Sequence, residues 1–134
     1  MLKILVMGLP GAGKTHLAER LAKALNAVHF NADRVRTTMN ADLGFSIQDR
    51  VEHARRLGWM CQYVKDSGHY AIADFVCPTI ETRAAFDADF MIWMDTIKRG
   101  RFEDTNKLFQ PPTRFNLRIE DWNYELDQLL TLIP

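Results

Sequence analysis

The run Gly8-Leu9-Pro10-Gly11-Ala12-Gly13-Lys14-Thr15 places three glycines ahead of a lysine and a hydroxyl residue, in full agreement with the pattern G-x-x-x-x-G-K-[ST]. Residues without a β-carbon let successive backbone N–H groups turn inward onto phosphate oxygens, and the positive end of a following helix adds to their pull. Lys14 is then placed to reach the β- and γ-phosphates of a nucleotide, and Thr15 to hold Mg²⁺ through its hydroxyl. Gly8, Gly11, Ala12, Gly13, Lys14, Thr15 and His16 are therefore expected to cradle ATP.

A cradle does not say what receives a phosphoryl group. Asp33, with Arg34 and Arg36 beside it, follows the second apolar stretch of the chain. A carboxylate there can orient or deprotonate an acceptor hydroxyl; it can equally cap a helix through Val35–Met39. Asp74 ends the apolar run Tyr70-Ala71-Ile72-Ala73 and is either part of the Mg²⁺ shell, through water, or a plain strand-end carboxylate.

These residues need elements to position them. Leu2–Met7 is a short apolar run stopped by Gly8, the pattern of a strand buried on both faces. Leu17, Ala18, Leu21, Ala22 and Leu25 recur at helical spacing. A second strand is predicted at Val28–Phe30. Ser46, with Asp49 three residues on, then opens a helix whose apolar face runs Ile47, Val51, Ala54, Leu57, Cys61, Val64 to a stop at Asp66-Ser67-Gly68. Strands at Tyr70–Val76, Phe90–Met94 and Phe115–Ile119 alternate with helices at Thr79–Phe86 and Trp122–Leu132. Such alternation predicts an α/β three-layer sandwich, a mostly parallel sheet with helices on both faces, of the P-loop NTPase kind.

The 134 residues suit one domain, 1–134, with 47% hydrophobic and 25% charged residues and no low-complexity tract, which excludes disorder and repeat arrays. Seventeen basic and seventeen acidic residues give zero net charge, hence no overall field to draw in a nucleic-acid backbone, although a local basic cluster can still bind one phosphate. No apolar run approaches a membrane span, and the expected location is the cytoplasm. Cys61 and Cys77 lack metal or redox spacing and read as buried, reduced thiols.

The stretch after Asp33 is more particular. Asp33-Arg34-Val35-Arg36, then Asn40-Ala41-Asp42-Leu43-Gly44-Phe45-Ser46, then Asp49-Arg50-Val51-Glu52-His53-Ala54-Arg55-Arg56 resembles the adenylylsulfate kinases, and with the cradle the likeness extends to Pro78. The resemblance implies transfer of the γ-phosphate of ATP to the 3′-hydroxyl of adenosine 5′-phosphosulfate, with Mg²⁺ as cofactor and a place in sulfate assimilation. It implies that Asp33 is the catalytic carboxylate working beside Lys14, that Arg36 and Arg50 grip the phosphosulfate, and that Phe45 stacks on its adenine. Phe102–Pro112 resembles a degraded form of the family segment G-F-T-G-x-x-x-x-Y-E-x-P, making Phe102 the other half of that stack. Guanidinium forks suit planar anionic groups and keep their charge.

The chain departs from the family at named places. Asn31 stands where the family has an acid, Asp74 where it has a small neutral residue, and Cys77 at the family's phosphoserine position. His53 replaces a substrate-contacting asparagine and brings a charge expected to vary near neutral pH. Between Thr96 and Phe102 the family's basic lid is reduced to Ile97-Lys98-Arg99-Gly100-Arg101, so the chain is expected to be slower, leakier to water or completed by a partner. Lys98, Arg99 and Arg101 either stand in for the lid or form a solvated loop, and Arg55 and Arg56 read as solvated helix positions. Two other readings stay open: a kinase of a polynucleotide 5′-hydroxyl or modified nucleotide, and a nucleotide-binding regulatory protein without transfer. A homodimer is compatible with each.

Overall fold

The computed structural model describes residues 1–134. Its centre is a five-stranded sheet: β1 (Lys3–Met7), β2 (Val28–Asn31), β3 (Ala71–Asp74), β4 (Phe90–Met94) and β5 (Leu117–Ile119), in the order β2-β3-β1-β4-β5. Every neighbouring pair is parallel. The helices are α1 (Lys14–Leu25), α2 (Ala32–Thr37), α3 (Ile47–Asp66), α4 (Ile80–Phe86), α5 (Glu103–Leu108) and α6 (Leu126–Leu132).

Side chains alternate across a strand, so β1 supplies both layers. Ile4 and Val6 face Leu17, Ala18 and Leu21 of α1 and Leu129 of α6. Leu5 and Met7 face Ala54, Leu57 and Cys61 of α3 and Phe86 of α4. All of β1 is buried, which explains its unbroken apolar character apart from Lys3, whose ammonium rests over the Phe86 ring. Gly58 brings α3 against α4 so closely that a β-carbon there would lie 2.6 Å from the Phe86 carbonyl oxygen.

The helix starts follow local chemistry. The Ser46 hydroxyl accepts from Asp49 N–H, as its spacing predicts, and Thr79 with Thr82 forms a reciprocal cap on α4. Asn31, not Asp33, caps α2: its Oδ1 accepts from Arg34 N–H. That frees the Asp33 carboxylate from a capping role. The closing helix begins at Leu126 rather than Trp122, and α5 falls in a segment whose short apolar spacing gave no helical signal. Both cysteines are free and buried, with their thiols pushed up to about 12 by burial.

Because all strands are parallel, their carboxyl ends share one edge, the edge where open α/β sheets bind ligands. Met7, Asn31, Asp74 and Met94 end there, and the loops that follow them carry the candidate residues.

Candidate nucleotide and acceptor site

The loop from β1 to α1 needs glycine in two physical senses. Gly11 and Gly13 have φ of 90° and 94°, in the left-handed region. At Gly8 and Gly13 there is also no room: a β-carbon would meet Met94 O at 2.5 Å and Trp122 Cζ3 at 2.5 Å, respectively. Gly11, Gly13, Lys14, Thr15 and His16 line a cavity of about 730 Å³. Gly8 and Ala12 lie beneath it: Gly8 is pressed against β4, and Ala12 donates its N–H to Leu9 O and accepts from Thr96 Oγ1. They shape the loop that carries the cavity-lining residues of the cradle.

Lys14 donates from Nζ to Leu9 O at 2.8 Å, folded back over its own loop. Burial lowers its pKa to about 8, with Arg101 pushing the same way and Asp74 and Asp33 pushing against it. An anionic ligand in the cradle would offset that penalty.

Below the lysine, four side chains form one cluster. Asp74 Oδ1 accepts from Thr15 Oγ1 at 2.8 Å and from Asn31 Nδ2 at 3.1 Å, while Asp74 Oδ2 pairs with His29 Nε2. Asn31 Nδ2 also reaches Thr15 Oγ1 at 3.2 Å. Asn31 and Asp74 are register partners on β2 and β3, so the carboxylate on β3 lies beside the position where the resemblance implies an acid on β2. Asp74 is 3% exposed, so its charge is compensated by these three donors. Thr15 Oγ1 and Asp74 Oδ1 are hard oxygen donors beside the phosphate cradle, the donor set a Mg²⁺ held mainly by phosphates and water requires. His29 was not among the candidates from sequence; strand alternation puts it on the face of Asn31, two residues on.

The far wall is cationic. Arg36 of α2 donates to Gly44 O at 2.8 Å and Arg50 of α3 to Phe45 O at 3.0 Å. Their guanidinium carbons lie 4.4 and 5.5 Å from the centre of the exposed Phe45 ring. Neither forms an ion pair, and burial together with Arg50 lowers the Arg36 pKa. Two guanidiniums sharing one wall, neither in an ion pair, are the donor set that a planar anion suits. Asp33 lines the same cavity, close enough for its charge to act on both Lys14 and Arg36.

His53 is 2% exposed and also lines the cavity. Its Nδ1 takes the side-chain N–H of Asn40 at 2.8 Å, which leaves the proton on Nε2, and Nε2 has no partner in the protein. Burial, with Arg36 and Arg56 nearby, lowers its pKa to about 4. The ring is thus neutral at physiological pH, which corrects the expectation of a charge varying there. Arg56 keeps solvent contact but is also tied down: it pairs with Asp42 and Glu52 and donates to Asn40 Oδ1, fixing the amide that orients His53.

Phe45 and Phe102 both line the cavity, and the two rings do not stack on one another; each carries a guanidinium, Arg101 in the case of Phe102 at 5.2 Å. Of the three basic residues in the shortened loop, Lys98 pairs with Asp95 and Arg99 with Glu103. Arg101 alone has no acidic partner and lines the cavity, as do Asp104 and Thr105 of α5. Trp122 is a further neighbour of the cradle that sequence pattern missed, because an isolated exposed tryptophan carries no periodicity.

The adenylylsulphate kinase family model matches residues 1–94. Adenylyl-sulfate kinase of Shewanella baltica is 38% identical over 90 residues, covering 63% of this chain and 44% of that protein; a second Shewanella adenylyl-sulfate kinase is 40% identical over 88 residues, covering 62% and 43%. The chain thus aligns with less than half the length of these relatives. Among solved structures, the Mycobacterium tuberculosis APS kinase CysC in complex with AMPPNP and APS superposes with a TM-score of 0.83 at 25% identity, over 97% of this chain and 95% of that one. A hexameric APS kinase from Thiobacillus denitrificans gives 0.75 at 25% identity, over 97% and 28%. No helix of this chain is long and apolar enough to cross a membrane.

Proposed function

The chain belongs to the adenylylsulphate kinase family, and from that premise we propose that it transfers the γ-phosphate of ATP to the 3′-hydroxyl of adenosine 5′-phosphosulfate. The observation that carries this reading is the meeting, in one cavity, of a phosphate cradle, a free carboxylate and a pair of guanidiniums without acidic partners. The relative that superposes over nearly its whole length holds AMPPNP and APS together, which matches a cavity with two anion sites.

The roles follow from chemistry. The loop amides and Lys14 hold the β- and γ-phosphates and neutralise charge that shifts onto them during transfer. Thr15, with Asp74 behind it, would hold Mg²⁺, which would neutralise charge on the phosphates when bound. Asp74 orients the Thr15 hydroxyl, and His29 and Asn31 orient Asp74. Arg36 and Arg50 grip the phosphosulfate, while Phe45 and Phe102 flank its base. Asp33 takes the hydroxyl proton as the acceptor oxygen approaches phosphorus. His53 Nε2–H, uncharged and otherwise unpartnered, donates to the acceptor, and fixed geometry of this kind supplies much of the rate in phosphoryl transfer.

The test is direct. The protein is incubated with Mg²⁺, γ-labelled ATP and either adenosine 5′-phosphosulfate, an oligonucleotide or no acceptor. Label on the phosphosulfate, lost in Lys14→Met and Asp33→Ala, is expected. Label on the oligonucleotide alone, or tight ATP binding with no transfer, overturns the assignment.

A further inference from the structure

We propose that Arg101 is the cation that stabilises the migrating phosphoryl group in this chain. The inference rests on the kinase reading above and assigns a role that the short loop before α5 would otherwise leave vacant.

The residue is carried on a strap over the cradle. Residues 96–106 run from the end of β4 across the cradle, and their attachments go to the cradle itself. Thr96 Oγ1 donates to Ala12 O at 2.8 Å. Gly100 lies so close to Pro10 that a β-carbon would meet Pro10 Cδ at 3.1 Å and Pro10 O at 3.2 Å. Asn106 then closes the strap from the far side, its Oδ1 accepting from Gly100 N–H at 2.8 Å and its Nδ2 donating to Gly100 O at 2.9 Å. Gly100 is therefore held on both sides, and the next residue is Arg101.

The charges along the strap are not equivalent. The ammonium of Lys98 is taken by Asp95, which also carries both Arg118 contacts, and the Arg99 guanidinium by Glu103 one helical turn ahead. Arg101 has no carboxylate partner, although Asp104 lines the same cavity. Its guanidinium stays over the Phe102 ring, 5.2 Å from the centroid, at the cavity that Lys14 also lines, and is close enough for its charge to act on Lys14. Two cations beside each other at one cavity mouth repel in the free protein. A polyphosphate between them removes that repulsion, so the arrangement is complementary to an anion that is absent rather than to any group of the protein.

A guanidinium presented beside a phosphate cradle has a definite chemical use. As the acceptor hydroxyl oxygen bonds to the γ-phosphorus, the bond from that phosphorus to the β–γ bridging oxygen breaks. The electron pair stays on the terminal phosphate oxygen of ADP, and the hydroxyl proton passes to Asp33. Negative charge spreads over the equatorial and bridging oxygens, and an arginine that donates to them there stabilises that state more than the bound reactants. Lys14 is committed from the loop side, so the second cation must come from above, and Arg101 is the one the strap presents.

The test uses Arg101→Ala, Arg101→Lys and, as a control away from the cavity, Arg99→Ala. ATP affinity is measured by calorimetry, phosphoryl transfer by single turnover at saturating ATP, with the phosphosulfate and with water as acceptors. Arg101→Ala is expected to lower the transfer rate about 100-fold or more while ATP affinity changes less than about fivefold. Arg101→Lys should recover part of the rate, free guanidinium in the buffer should rescue the alanine variant, and Arg99→Ala should remain within about twofold of wild type. A rate in Arg101→Ala within about threefold of wild type, or a loss that tracks ATP affinity alone, overturns the proposal. If wild type hydrolyses ATP but leaves the phosphosulfate unlabelled, the acceptor assignment fails and the Arg101 comparison is decided on hydrolysis. A wild type inert toward both acceptors overturns both.

Discussion

Acidification should cost this protein stability through His53 in a way that a single substitution removes. The ring is 2% exposed, its Nδ1 is committed to Asn40, and Arg36 and Arg56 oppose a second positive charge, which together lower its pKa from 6.5 to about 4. The unfolded chain binds the proton below about 6.5 and the folded chain does not until about 4. Stability from this group is therefore complete above about pH 6.5, is lost progressively as pH falls, and levels off below about 4. Linkage puts the loss at about 2 kcal/mol at pH 5, approaching roughly 3 kcal/mol at the lower limit. Other groups titrate in the same window, so the measurement is a difference of differences: urea unfolding of wild type and His53→Gln at pH 7.5 and pH 5. Glutamine has no proton to gain, and wild type should lose about 2 kcal/mol more than the variant over that interval. Equal losses in the two proteins would refute the reasoning, as would a proton titration of His53 by NMR centred near 6.5.

ATP affinity should weaken as pH rises through about 8, where Lys14 loses its proton in the free protein, and Lys14→Met should bind weakly with no such dependence; calorimetry at pH 7 and pH 9 decides it. Asp74→Asn should raise the Mg²⁺ concentration for half-maximal activity about 10-fold or more, because the site loses its negative charge and one of the two oxygens that Thr15, Asn31 and His29 share; an unchanged Mg²⁺ titration would remove Asp74 from the metal shell. Gly58→Ala should destabilise the fold by roughly 1–3 kcal/mol despite the better helix former, since the new methyl meets the Phe86 backbone, which cannot swing aside. Denaturation at neutral pH is the check, and a stabilised variant would contradict that packing.

The sheet and its main helices were legible because their signals are local and strong. Leu2–Met7 reads as a buried strand with or without its neighbours, and the Ser46 cap and the apolar face of α3 agree with each other. The site was legible in a different way: the cradle and the Asp33–Arg56 stretch carry chemistry in their residue types. What sequence could not supply was pairing across the fold. His29 meets Asp74 only because β2 and β3 align Asn31 with Asp74, and no spacing along the chain encodes that register. The orientation of His53 depends on Asn40 and Arg56, so it joins two residues of α3 to one in the loop before it. Helix α5 is too short to show a period, and the division of labour among Lys98, Arg99 and Arg101 depends on which acid each one meets.

The strap over the cradle has a consequence for the timing of turnover. A long lid must swing shut before chemistry and open before release, and such motions on the microsecond-to-millisecond scale often set the overall rate. Here the strap is fastened to Ala12 and Pro10 at one end, and at the other Gln110 is held by Arg83 through its carbonyl and by Ile80 N–H through its side chain. A segment tied at both ends has little room to travel, so product escape should depend on diffusion from an open mouth and show weak dependence on solvent viscosity beyond that limit. The corresponding cost is water at the reaction centre, which predicts ATP consumed without labelled phosphosulfate when the two products are assayed side by side.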